Sequence, residues 1–127
     1  MDGKELHQRA ESRAQELPGS ELTHPFGPEF DVWKVCGKMF LFLTELDGEL
    51  IVNLKAEPLD AEALRTAHSN IIPGWHMNKK HWITVRPGGT VDVELFDELV
   101  TDSYLLVVEG LPKYKQPVNP RTFASDN

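Results

Sequence analysis

Between Ile71 and Val85 the chain reads Ile-Ile-Pro-Gly-Trp-His-Met-Asn-Lys-Lys-His-Trp-Ile-Thr-Val, and its chemistry-bearing residues crowd there. Two Trp, two His and two adjacent Lys surround Asn78, and no acid occurs from Ser69 through Gly89. Lys79 and Lys80, flanked by His76 and His81, can grip phosphate from a polar loop over residues 78–80. The same histidines can ligate a metal, but a pair without further ligand spacing is weak, and no His-Glu-x-x-His occurs. Imidazoles hydrogen-bonded to nearby backbone are the expected state, with no metal bound. Cys36 can act as a nucleophile only beside a base. Its place in a strand next to Gly37 marks it instead as a small core residue. No phosphate-binding glycine loop, Ser-His-Asp pattern or dinucleotide fingerprint is present, and Gly88-Gly89 is a turn. The expectation is a protein without catalysis or cofactor.

Composition narrows the partners. The 127 residues suit one domain with a single core, and 40% apolar with 26% charged content is that of an ordinary globular chain. No apolar run approaches the ~20 residues that span a bilayer. The first residues carry no basic patch followed by a hydrophobic stretch, and a lone Cys36 fits a reducing compartment, so the expected location is the cytoplasm. The net charge of -7 opposes non-specific binding to polyanions. That charge is unevenly spread: Asn70 to Arg86 holds Lys79, Lys80 and Arg86 and no acid, so +3 there leaves -10 elsewhere. A basic surface on an acidic body can bind nucleic acid weakly, with its orientation set by repulsion.

The elements that must position these residues follow from pattern. Asp2 with Glu5 forms a capping box for a first helix, whose Leu6, Ala10, Ala14 and Leu17 share a stripe ended by Pro18-Gly19. A punctuated connection over 21–28 leads to strands over 31–36, 38–43 and 50–55, the last two joined at Asp47-Gly48. Pro58 opens a second helix with Leu59, Ala63, Leu64 and Ala67 as its expected buried side. Two strands flank the Trp-His loop, and Asp92 caps a third helix. There Phe96, Leu99, Val100, Tyr104, Val107, Val108 and Leu111 recur at helical spacing. The order α-βββ-α-ββ-α describes a two-layer α+β domain over residues 1–113, with an antiparallel sheet, helices on one face and a loosely held tail over 114–127.

Alternation along the strands then sorts side chains by face. With Val52, Leu54, Ile83 and Val85 under the helices, the other face is expected to be at least partly open and to collect Lys34, Asn53, Lys55, Trp82 and Arg86, although Lys38 to Leu43 is apolar on both faces and part of the second face must be covered. Cations with an interleaved aromatic suit phosphate contact and base stacking. Solvated residues on an ordinary polar sheet face are the competing explanation.

Several stretches together resemble the MmcQ/YjbR family of small bacterial proteins. They are Thr23-His24-Pro25-Phe26-Gly27, Lys34-Val35-Cys36-Gly37-Lys38-Met39-Phe40, Val52-Asn53-Leu54-Lys55, Pro73 through Trp82, and Asp102-Ser103-Tyr104. Cys36, Trp33 and Trp75 differ in size from the residues usual in such sequences. The resemblance implies an α+β fold related to frataxin-like and secretion-chaperone-like sheets, and a likeness to a double-wing DNA-binding domain of a phage transcription factor. Members are commonly labelled DNA-binding on that likeness, which is an analogy of fold. The expected partner is therefore DNA, bound weakly and with strong salt dependence through the open sheet face and the 78–80 loop. The alternative is a protein-binding adaptor that exposes the sheet or its Trp residues to a protein partner.

Overall fold

Asp2 starts the first helix as its sequence dictates. Its carboxylate accepts from the Glu5 amide at 2.8 Å, and the Glu5 carboxylate accepts from the Asp2 amide at 3.2 Å. The computed structural model describes residues 1–123. The order is α1 (Gly3–Glu16), β1 (Ser20–Thr23), β2 (Asp31–Val35), β3 (Lys38–Leu46), β4 (Glu49–Lys55), α2 (Pro58–Ala67), β5 (Ile71–Pro73), β6 (Trp82–Val85) and α3 (Val93–Glu109). A 3-10 turn, Lys113–Lys115, follows. The strands form one antiparallel sheet in the order β1-β2-β3-β4-β6-β5. The α+β architecture is thus as expected, with one added strand. Strand β1 lies at an edge, its burial does not alternate, and Ser20 and Glu21 carry no strand signature.

The core lies between the sheet and helices α1 and α3. Leu6, Ala10 and Ala14 of α1 meet Phe96, Val100, Tyr104 and Val107 of α3 over Val52, Leu54, Ile83 and Val85. The register slips between Trp33 and Lys34, so Phe40 has no partner on β2. That bulge lets Phe40 and Leu41 enter the same core, where Phe40 sits edge-on to Tyr104 at 5.4 Å. Ser103 bolts α3 to two strands: its hydroxyl donates to the Phe40 carbonyl and accepts from the Lys55 amide at 2.8 Å.

Four expectations need correction, three of them local. Cys36 is exposed, in a two-residue hairpin turn with φ of 48° followed by Gly37 at 77°. Two successive positive φ values are what such a turn demands, so position 36 serves the turn and not the core. Helix α2 buries Ala61, whereas Leu59 is 82% exposed and Ala63 and Ala67 are also exposed; only Leu64 of the expected stripe packs against the core. Beyond α3 the described residues stay on the domain: Val118 and Phe123 are partly buried against the core, and Phe123 lies 6.2 Å from Tyr104, while 124–127 of the expected tail lie outside the described residues.

The sheet's second face is the largest correction. Strand parity sorts Asn53, Lys55, Trp82 and Thr84 away from the helices, as alternation requires, but this face is not open. Val32, Phe42, Asn53 and Thr84 form one cross-strand row and all are buried. Loop 24–30 folds back so that Phe30 stacks on Phe42 at 5.8 Å and Phe26 meets it edge-on at 6.2 Å. Loop 74–81 does the same over Thr84, whose hydroxyl accepts from the Trp75 amide at 2.9 Å. Asn53 is fully buried; it accepts from the Thr84 hydroxyl and so is a structural residue, out of reach of any nucleic acid.

Candidate nucleic-acid interface

The exposed chemistry sits at one end of the sheet. There the β2–β3 turn, the end of β4, the start of β6 and the last turns of α3 converge on a shallow cleft of about 500 Å³. Lys38, Lys55 and Trp82 line it, with Leu106 and Gly110 as its α3 wall. Lys55 and Trp82 are direct cross-strand partners. Lys34 pairs with Met39 on the same face, two strands away. The 3-10 turn adds Lys113 and Lys115, drawn in where the Cys36 thiol donates to the Lys115 carbonyl at 3.3 Å.

Loop 74–81 is a built structure. Gly74 is buried, and a Cβ there would lie 2.7 Å from the Cβ of Trp82, so only glycine permits this approach. Asn78 organises the turn: its side chain accepts from the Lys80 amide at 2.9 Å and its carbonyl from the Trp82 amide at 3.0 Å. The Lys79 ammonium donates to the Gly74 carbonyl at 2.6 Å, which fixes its stem along the loop. His76, at φ of 56°, places its ring edge-on to Trp75, with centroids 4.3 Å apart. The His81 carbonyl accepts from the Ala56 amide at 2.9 Å, tying the loop to the end of β4. Lys80 and His81 are left exposed beside the cleft.

Sequence reasoning thus selected residues that the fold divides. Lys55, Lys79, Lys80, His81 and Trp82 gather at the basic end, with Asn78 as their scaffold and Lys34 nearby. Arg86 lies at the opposite end of β6, where its guanidinium donates to both carboxylate oxygens of Glu49, at 2.6 and 3.3 Å. Those hydrogen bonds hold the Glu49 carboxyl below its ordinary range. Asp2, Lys4 and Asp47 stand around that far end, and the pairing with Glu49 keeps Arg86 from meeting phosphate. Lys38, Lys113 and Lys115 were missed. The hairpin reading of Cys36-Gly37-Lys38 held the signal for Lys38, since a lysine beside a tight turn projects at a sheet end.

The three Trp do not form an exposed set: Trp33 is buried, and Trp75 and Trp82 are half-buried. The adaptor surface expected of them is absent. Among the described residues no three His, Cys, Asp or Glu side chains come together as a metal-ligand set. No described helix is long and apolar enough to cross a membrane.

The YjbR family profile matches residues 15–106. The chain belongs to the YjbR family. It is 47% identical over 116 residues to the uncharacterized protein YbdF of Escherichia coli O157:H7, covering 91% of this chain and 95% of that one. It is 37% identical over 83 residues to YjbR of E. coli K12, covering 65% and 70%. The crystal structure of Deinococcus radiodurans DR2400, a DUF419 domain, superposes with a TM-score of 0.74 at 44% identity over 82% of this chain and 80% of that one. A Pseudomonas syringae protein superposes at 0.66 with 25% identity, over 84% and 98%. Within the YjbR match lie Lys38, Lys55 and the whole 74–82 segment, while Lys113 and Lys115 fall beyond it.

Proposed function

We propose that this YjbR domain is a non-enzymatic cytoplasmic protein that binds DNA through the basic end of its sheet. The observation that carries the reading is the cleft that sets Lys38 and Lys55 beside Trp82, next to exposed Lys80 and His81. An ammonium group contacts phosphate without reading sequence, and Trp82 offers an edge to sugar or base once the backbone is seated. The rest of the molecule sharpens orientation. The chain as a whole carries a net charge of -7, so surfaces outside the basic end are repelled from the polyanion and docking by the basic end is favoured.

The number of available cations sets the strength. Four to five lysines near the cleft neutralise about four phosphates, and each contributes about -0.9 to the slope of log affinity against log salt, giving about -4 in all. Fluorescence anisotropy on a labelled duplex across a salt series measures this slope. The variant Lys38→Ala/Lys80→Ala, altered only at exposed positions, is expected to flatten it by about 2. Arg86→Ala is expected to leave it unchanged. Absence of wild-type binding at low salt, or a full slope in the double variant, would refute the reading.

A further inference from the structure

Residues of α2 and α3, with Pro120, line a groove of about 530 Å³ that meets the basic cleft only at Lys55 and Leu106. Its floor is apolar, with Leu64 of α2 and Leu95, Leu99 and Leu106 of α3. Its polar groups are nearly all of one sign: Glu57, Asp60, Asp102 and Glu109 against the single cation Lys55. The α3 wall from Leu95 to Glu109 extends roughly 21 Å, or about four turns, at ~1.5 Å per residue. On the α2 side Ala63 lines the groove and is itself exposed.

We infer that this groove receives a cationic amphipathic helix from a protein partner, with apolar residues on the leucine floor and Lys or Arg side chains over the acidic rim. Length favours a helix, because an α3 wall four turns long can be followed by a helix of about fourteen residues presenting anchors at i, i+3/i+4 and i+7. Charge selects the partner's sign. A second copy of this chain would bring acid against acid, and DNA is repelled here as firmly as it is attracted at the basic end. Asp102 records the imbalance: burial first, then the charges of Glu98 and Asp60, raise its pKa above the usual carboxylate value. A cation from the partner relieves that repulsion, so the groove is better matched filled than empty.

The probe is a labelled synthetic helix of about fourteen residues with leucines at the anchor spacing and lysines elsewhere, titrated by anisotropy. Two control peptides keep its length, one with Glu for every Lys and one with Ser for every Leu. The Leu/Lys helix is expected to bind at least tenfold tighter than either control. Ala63→Lys, at an exposed position, is expected to weaken it at least tenfold by filling the trough with bulk of the wrong sign. Asp102→Asn is expected to weaken it severalfold while leaving the melt native. Lys38→Ala/Lys80→Ala is expected to leave the peptide affinity unchanged, which separates this site from the DNA surface. Equal binding of the Leu/Lys and Ser/Lys peptides, or wild-type affinity in Ala63→Lys, would overturn the inference. So would displacement of the helix by n-octylammonium at matching affinity, which would assign the groove to a small organic cation.

Discussion

Lys55 and Leu106 line both the basic cleft and the α2–α3 groove, yet the two surfaces present opposite chemistry. The cleft is shallow, closes the end of a sheet and carries lysines on rigid backbone: a hairpin turn, a strand end and an Asn-organised loop. The groove is elongated, floored by leucine and rimmed by acid. A chain of net charge -7 can hold both because it segregates charge, leaving Arg86 paired with Glu49 at the far end of β6, Lys38 and Lys80 exposed at the basic end, and Lys55 on the border with the acidic groove. The pairing shows that net charge alone does not describe a surface. Local sign and shape differ within a few residues.

The comparison breaks most completely where both surfaces share a support. Helix α3 walls each of them, and Phe96 is fully buried beneath it. Phe96→Ala is expected to cost about 3–5 kcal/mol through cavity formation. Denaturant melts should show the loss, with DNA and peptide binding disappearing along one unfolding curve. A cost under about 1 kcal/mol would mean that α3 is not anchored as described.

A smaller cut separates the two. Thr84 links Asn53 to the Trp75 amide beneath the basic loop and touches nothing in the groove. Thr84→Val strands a buried carbonyl oxygen and an amide, at a cost of about 1–3 kcal/mol. Hydrogen exchange should quicken at Trp75 while α2 and α3 keep their protection.

How much of this the sequence discloses depends on whether the cause is local. Caps at Asp2 and Asp92, the Asp47-Gly48 turn and the α3 stripe are set by neighbours within a few residues, and each stands where the pattern puts it. The covered face of the sheet is set by distant chain folding back. Nothing near Asn53 signals that Phe26, Phe30 and Trp75 return over its row. The apolar run of β3, unexplained by simple alternation, becomes clear once the bulge sends Phe40 and Leu41 to one side. Helix α2 misled because Ala and Leu read alike as burial, while one of its apolar sides faces a groove rather than the core.

The smallest effect concerns a group that serves neither surface directly. The Tyr104 hydroxyl donates to the Pro18 carbonyl, and burial, with a lesser contribution from Cys36, pushes its pKa up to about 12. The folded value lies above the unfolded value of about 10, so its stabilisation is intact below about pH 10 and is lost as pH rises toward 12. Tyr104→Phe is expected to cost about 1 kcal/mol at neutral pH. Melts between pH 10 and 12 should show the variant losing less stability than wild type. Parallel loss in the two would deny that this phenol is held neutral by the fold.

The central claim, DNA held at the basic end of the sheet, is tested most directly by residue-resolved NMR during titration with a short duplex at low salt. Amide shifts are predicted at Lys38, Lys55, Lys80, His81 and Trp82, together with the Trp82 indole, all reversing as salt is added. Asp47, Glu49 and Arg86 at the far end should stay still. Shifts centred on those far residues or on the α2–α3 groove, or no shifts at all, would contradict the account.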